Sequence, residues 1–300
     1  MNQNVASVNN PLLLSLFYIF SSIVPRFMHR GFIETVGCLF PFTMKETGNL
    51  IRKNLEVIGR GSFTENDIRS LELKTFKNYG RYLLDYMAMH RIAEHNKHHY
   101  IMQQEIGLEN LDAALSMGKG VILVTPHFGN WELGGIILSL KKYSLNIVTL
   151  KDDNQTINNF RERIRNKNNI TSIYVTGDSI HTAINIIKAL RNNSIVAMLG
   201  DRDGSTKTVE VNFFGKKTKF PLGVAYVALS SGAVVLPVFV VLRANGKYQG
   251  IIEKPLLFSQ YKESNRNEAI RKAVQDIACI FEQYIKEYPD QWFNFYPFWS

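Results

Sequence analysis

His127 and Glu132 stand in the segment Thr125-Pro126-His127-Phe128-Gly129-Asn130-Trp131-Glu132, and their side chains are the types that move protons. Histidine has the ordinary pKa nearest neutrality, and a carboxylate beside it fixes the tautomer and stabilises the protonated ring. The free ring nitrogen is then a base for a hydroxyl, as acyl transfer from a thioester to an alcohol requires when the tetrahedral intermediate forms. A tight turn through Gly129 predicts that Glu132 folds back onto His127, with backbone N–H groups around Phe128 and Gly129 facing the developing oxyanion. Taken alone, His-x4-Glu is also the pattern of a histidine capping a helix start beside a packed Trp131.

Other chemistries find less support. His90, His95, His98 and His99 have helical spacing, but Asn96, Lys97 and Tyr100 around them read as a polar helix end, not a metal site. Ser205, Ser230 and Ser231 lack the Gly-x-Ser-x-Gly setting of a hydrolase nucleophile, and Gly118-Lys119-Gly120 lacks the spacing of a phosphate-binding loop.

The elements that must position the His–Glu pair show as hydrophobic patterns. From residue 45 to 99 apolar residues recur three and four apart, as in Ile51, Leu55 and Ile58, which predicts helices. They break at Gly59-Arg60-Gly61 and restart at Thr64-Glu65-Asn66-Asp67. Farther on, helices are predicted over 108–117, 133–140, 157–167, 180–191, 223–231 and 268–287. Strands are predicted over 120–125, 145–150, 173–175, 194–199 and 233–242, with 248–252 as an edge strand. Unbroken apolar strands separated by helices indicate an α/β fold with a largely parallel sheet flanked by helices. In such sheets chemistry lies beyond the carboxyl ends of the strands. Pro126-His127 and Gly200-Asp201-Arg202-Asp203 fall there.

The N-terminal region has a different character. Residues 11–24 form an apolar run ended by Pro25-Arg26, shorter than the ~18 residues that cross a bilayer. Residues 1–10 carry no Lys or Arg, which argues against a secretory signal. A second apolar stretch covers 32–42, and aromatics are dense: Phe17, Tyr18, Phe20, Phe27, Phe32, Phe40 and Phe42. Aromatic helices flanked by arginine suit the headgroup boundary of a membrane. Residues 1–44 are therefore predicted to be a helical membrane-surface anchor, ahead of a domain over 45–300. A hairpin buried on that domain, or insertion of the first helix, are the competing readings.

Bulk properties agree. A chain of 300 residues, 45% hydrophobic and 20% charged, is globular and buries a sizeable core. A net charge of +9 and an isoelectric point of about 9.4 point to anionic partners. The 35 Lys and Arg are spread along the chain rather than gathered in one arm, which favours an anionic membrane surface or an acidic carrier and gives no nucleic-acid motif. Cys38 and Cys279 read as free thiols in a reducing compartment.

His127-Phe128-Gly129-Asn130-Trp131-Glu132 resembles the His-x4-Asp/Glu block of the glycerolipid acyltransferase superfamily. In its Gly-Asn-Trp-Glu form it is similar to the lipid A biosynthesis (lauroyl/myristoyl) acyltransferase family. Further segments keep the family's order. Arg163-Ile164-Arg165 resembles its arginine-bearing block, and Gly200-Asp201-Arg202-Asp203-Gly204 its acidic block. Val211-Asn212-Phe213-Phe214-Gly215 resembles its Phe-Phe-Gly stretch, and Val235-Leu236-Pro237 its last Pro-bearing strand. The N-terminal segment and Pro289-Asp290-Gln291-Trp292 fit as well, so the resemblance spans nearly the whole chain.

The resemblance implies an acyltransferase domain over 45–300, needing no cofactor or metal beyond its co-substrate, acyl-carrier protein or acyl-coenzyme A. It implies transfer of the acyl chain to a hydroxyl of a glycolipid, a lipid A precursor first, at the cytoplasmic face of the inner membrane. His127 would be the general base and Glu132 its partner, with no covalent intermediate. Arg163 and Arg165 would bind a phosphate of acceptor or carrier, or form a solvated basic helix face. Asp201 and Asp203 would orient the acceptor or hold Arg202, or form structural pairs. Phe213, Phe214 and Gly215 would shape the acyl groove, or pack in the core.

Two departures bear on the acceptor. Arg202 stands where the lipid A enzymes more usually have Gln, and the tail Trp292-Phe293-Asn294-Phe295-Tyr296-Pro297-Phe298-Trp299 lacks their closing basic residues. Another glycolipid, such as a phosphatidylinositol mannoside or a polyene or ornithine lipid, therefore remains open as acceptor. From other classes, a hydrolase using the same pair and a non-catalytic membrane-binding protein are the rivals.

Overall fold

The structure, a computed structural model, describes residues 11–102, 104–152, 154–175, 179–202, 207–256, 258–261 and 265–299. They divide into two compact units, one with the residues up to Ile92 and those from Tyr284 onward, the other covering Ala93–Gln283.

The first unit is helical. Helices α1 (Pro11–Ile23), α2 (Arg26–Val36) and α3 (Phe40–Thr43) precede α4 (Lys45–Gly59) and α5 (Glu65–Ala88). Pro25, in extended backbone, separates α1 from α2. The next residue, Arg26, forks onto the buried carboxylate of Asp85 on α5, Nε and Nη2 donating at 2.9 and 3.1 Å. Arg60 in left-handed backbone ends α4. Thr64 and Asp67 form the capping box that starts α5, satisfying N–H groups with no helical partner. Helices are present within 11–43, residues 1–10 of the predicted anchor lie outside the described residues, and Phe17, His29 and Ile33 are buried. Ile19, Ile23, Phe27, Met28, Leu39 and Phe42 are exposed. No helix among the described residues is long and apolar enough to cross a membrane.

The second unit is a six-stranded sheet with helices α6 (Leu108–Ser116), α7 (Trp131–Leu140), α8 (Gln155–Lys167), α9 (Ser179–Arg191), α10 (Gly223–Ser231) and all but the last turn of α11 (Arg266–Glu287). The sheet strands are β1 (Val121–Thr125), β2 (Leu145–Leu150), β3 (Thr171–Val175), β4 (Ile195–Leu199), β7 (Val234–Leu242) and β8 (Tyr248–Ile252), ordered β3-β2-β4-β1-β7-β8. Five run parallel, and β8 is the antiparallel edge. Strand β1 is buried throughout, as an unbroken apolar run between two neighbours must be.

A separate hairpin, β5 (Thr208–Phe213) with β6 (Lys216–Pro221), was not predicted. Its two-residue turn is Phe214-Gly215, both at positive φ, 52° and 75°, the twist a tight hairpin needs. The Phe214 N–H donates to the Glu282 carboxylate, which holds this unusual backbone.

Candidate active site

The pairing of β1 with β4 builds the site. Thr125 lies opposite Leu199 in the parallel register, so the chains leaving both strands emerge side by side. His127 is two residues beyond Thr125, and Asp201 is two residues beyond Leu199. The Gly200 N–H donates to the Thr125 carbonyl at 2.9 Å. A Cβ at Gly200 would lie 2.7 Å from Val124 Cγ2, so this close approach of the two strand ends requires glycine.

Asp201 is the partner of His127. Its Oδ1 lies 2.7 Å from His127 Nδ1, and its Oδ2 accepts the His127 backbone N–H at 3.0 Å. The carboxylate thus grips one residue twice and is fully buried, while the imidazole keeps 18% of its surface open. Burial pushes His127 below the ordinary histidine range; the Asp201 charge opposes this, and the Arg202 charge adds to the lowering. Burial alone would raise the Asp201 carboxyl, but the charge and hydrogen bonds of His127, with the charge of Arg202, outweigh it and bring it to about 2. The arrangement is a neutral imidazole against an ionised carboxylate, its Nδ1 proton held by Asp201 and Nε2 left as the base.

The expected contact between Glu132 and His127 is not formed, and this corrects the sequence reading. Asn130 caps α7, its Oδ1 accepting the Leu133 N–H at 3.1 Å. Glu132 in the first turn of α7 meets Arg165 of α8, Oε1 to Nη2 at 3.6 Å. Trp131 fills the space beside the imidazole, ring centroids 5.3 Å apart. The Phe128 N–H, expected near an oxyanion, donates instead to the Pro126 carbonyl at 2.7 Å.

The two candidate arginines separate. Arg165 is buried, and Arg163, two residues away on α8, is exposed, since residues two apart on a helix face different ways. Arg165 donates from Nη1 to Ser172 Oγ at 3.2 Å and lies 3.6 Å from Glu162. Its Nε is buried without a hydrogen-bond partner among the described residues. Burial works against the charge on Glu162, but bonds from Ser172 and Tyr174 and the Arg165 charge lower its pKa.

Phe213 and Phe214 are buried against each other, centroids 4.8 Å apart, and Phe213 meets Phe220 at 5.0 Å. This is hairpin packing, with Gly215 in the turn. Asp203 lies outside the described residues. Among the described residues no three His, Cys, Asp or Glu side chains converge as metal ligands.

Next to Trp131 an apolar cavity of about 130 Å³ opens between α7 and the sheet. Glu132, Arg165 and Thr125 line it, while Phe213 and Phe214 do not.

A histidine–carboxylate pair at a strand end, beside a cavity suited to a hydrocarbon, fits acyl chemistry. The family model of the bacterial lipid A biosynthesis acyltransferases matches residues 12–300. The chain belongs to this family. It is accordingly an acyltransferase with an α/β core. Among its relatives, the phosphatidylinositol mannoside acyltransferase of Mycobacterium tuberculosis is 31% identical over 281 residues, covering 92% of this chain and 84% of that protein. The enzyme of that name from Mycolicibacterium smegmatis is 26% identical, covering 83% of this chain and 78% of its own. A lipid A biosynthesis acyltransferase of Haemophilus influenzae is 27% identical over 65% of this chain and 61% of its own.

Proposed function

We propose that this acyltransferase moves a fatty acyl chain from a thioester, acyl-carrier protein or acyl-coenzyme A, to a sugar hydroxyl of a membrane glycolipid. The observation that carries the mechanism is the 2.7 Å contact of His127 Nδ1 with Asp201. His127 Nε2 takes the acceptor's hydroxyl proton as its oxygen attacks the thioester carbonyl carbon. The tetrahedral intermediate then expels the thiolate, which takes the proton back from His127. One C–O bond forms, one C–S bond breaks, and the products are an ester and a free thiol. Asp201 holds the tautomer throughout. Glu132 and Arg165 line the cavity, while Arg163 does not, so the Arg165 guanidinium is the candidate to meet a phosphate or thioester group there.

Relatives named for phosphatidylinositol mannoside and for lipid A support a glycolipid acceptor. A mannoside-type acceptor is favoured, because that relative matches 92% of the chain against 65% for the lipid A enzyme. A lipid A precursor is the second reading, supported by the description of the family itself. Purified protein given each acyl donor with each glycolipid tests both, since mass spectrometry reads the gain of one acyl chain. No product in any combination, or fatty acid released equally fast without acceptor, would overturn the reading.

The same reading places α1 to α3 on the cytoplasmic face of the inner membrane. The exposed Ile23, Phe27 and Phe42 support it, since apolar helices lie in the headgroup boundary. Flotation with anionic vesicles should drop sharply in a Phe27→Asp/Phe42→Asp protein, and undiminished flotation would contradict the placement.

A further inference from the structure

The hairpin β5–β6 grows out of the catalytic edge of the sheet. Asp201 lies two residues past β4, and Thr208, seven residues farther on, opens β5. The base of the hairpin closes where the Leu222 N–H donates to the Lys207 carbonyl at 3.3 Å. The next residue, Gly223, starts α10 against β4: a Cβ there would lie 3.8 Å from Met198 Cε. One long edge of the hairpin is tied down. The Asn212 N–H donates to Gln275 Oε1 on α11, and Gln275 Nε2 donates to the Asn212 carbonyl, both at 2.8 Å. Lys217 lies opposite Asn212 in the antiparallel register, so its backbone N–H and carbonyl also point away from the ladder. On that side, among the described residues, no further strand pairs with β6. Val211, Phe213 and Phe220 are buried, whereas Glu210, Asn212, Lys217 and Lys219, on the other face, are exposed. With Lys207 and Lys216, also exposed, the hairpin carries four lysines against one acid, Glu210, which lies 3.0 Å from Lys217.

We infer that this lysine-bearing hairpin face is the dock for an acidic acyl-carrier protein, which brings the thioester to His127. The inference rests on the acyltransferase reading of the site and chooses between its two donors. Lys217 and Lys219 stand ~7 Å apart along an open ribbon, two residues at ~3.4 Å each, a spacing that suits the spread carboxylates of a protein surface. The clustered phosphates of coenzyme A call for donors that converge in a pocket. Lysines on an unpaired edge repel another strand, which leaves side-chain contact with a folded acidic surface as the mode of docking. The four exposed residues of this face are all polar, so it lacks the apolar side chains that enter a lipid headgroup layer. Position agrees as well. A carrier's phosphopantetheine arm has about 14 bonds from its serine oxygen to its sulfur, and at ~1.25 Å of advance per bond it reaches ~18 Å. The hairpin's base adjoins Met198, three residues before Asp201, which keeps the catalytic pair within such an arm's range.

Kinetics with each donor test it. Wild-type protein, a Lys216→Glu/Lys217→Glu/Lys219→Glu protein and a Glu210→Gln protein receive the same acyl chain on acyl-carrier protein or on coenzyme A. The acceptor is a phosphatidylinositol mannoside or a lipid A precursor. The triple reversal should raise KM for acyl-carrier protein on the order of tenfold with kcat little changed, and leave KM for acyl-coenzyme A within about twofold. Glu210→Gln, which removes the one acid, should lower KM for acyl-carrier protein, and added salt should raise it in the wild type. Should the triple reversal fail to fold in a thermal melt, Lys216→Gln/Lys217→Gln/Lys219→Gln takes its place. A reversal that leaves both KM values unchanged, or raises both alike, overturns the dock. So does one that weakens flotation with anionic vesicles while KM for acyl-carrier protein holds, which assigns the face to a membrane. A wild type that uses acyl-coenzyme A but not acyl-carrier protein overturns the dock alone. A wild type that transfers from neither donor to any acceptor overturns the acyltransferase site, and the dock with it.

Discussion

Replacing Asp201 by Asn removes a charge while keeping the shape, and the surrounding donors decide which way the new amide turns. Oδ2 of Asp201 accepts the His127 backbone N–H at 3.0 Å, and Oδ1 faces Nδ1 at 2.7 Å. The backbone N–H is a fixed donor, so it claims the single oxygen of an asparagine amide. The amide NH₂ must then face Nδ1, which becomes the acceptor and sends the ring proton to Nε2. That is the nitrogen needed as base, and in this tautomer it has no lone pair for the acceptor hydroxyl. The equivalent change in a serine-protease triad lowers turnover about 10⁴-fold for the same reason, so the loss here should be about 10³- to 10⁴-fold. That corresponds to about 4.2 to 5.6 kcal/mol of transition-state stabilisation at ~1.4 kcal/mol per tenfold. Initial rates at saturating acyl donor measure it, with thermal melts to show that the protein stays folded. A folded Asp201→Asn protein within tenfold of the wild-type rate would refute the assignment of Asp201 as the histidine's partner.

Four further outcomes are expected. Burial holds His127 below its ordinary 6.5; the reactive form is neutral, so the acid limb of kcat/KM should fall below that pH. Arg202→Gln, which removes a charge that lowers His127, should move this limb to higher pH, and an unmoved limb would count against it. Arg165→Met leaves Glu132 and Glu162 without the guanidinium 3.6 Å from each; unfolding in urea should show a loss of about 2 kcal/mol, as for a broken partly buried pair. Gly107 has φ +77° and would place a Cβ 1.9 Å from the Ile252 carbonyl oxygen. Gly107→Ala should therefore cost about 2 kcal/mol or more by the same assay.

Much of the fold is legible in the sequence because unbroken apolar runs and helical periodicity are local signals. The strand predicted over 145–150 is β2, and the helix over 223–231 is α10. The hairpin β5–β6 escapes because its turn begins with Phe214 rather than the Asn or Asp that usually marks such turns. At the site, His127 shows itself as a histidine at a strand end, but its partner does not. Glu132 is five residues away in the chain and Asp201 is 74. Only the strand order, with β4 beside β1 and Thr125 opposite Leu199, brings the distant carboxylate to the ring. Asp201 stands after an apolar strand just as His127 does, and that shared position was the one available signal. Arg163 and Arg165 are equivalent in composition, and which faces inward depends on the rotation of α8. Phe213 and Phe214 read alike whether they line a groove or pack a hairpin.

The proton-transfer role of His127 is tested most directly by counting thiol released and acylated glycolipid formed, with purified wild-type and His127→Ala proteins at pH 7.5. The account predicts equal amounts of the two products from the wild type and almost none of either from a folded His127→Ala protein. Near-normal acylated glycolipid from His127→Ala would contradict it.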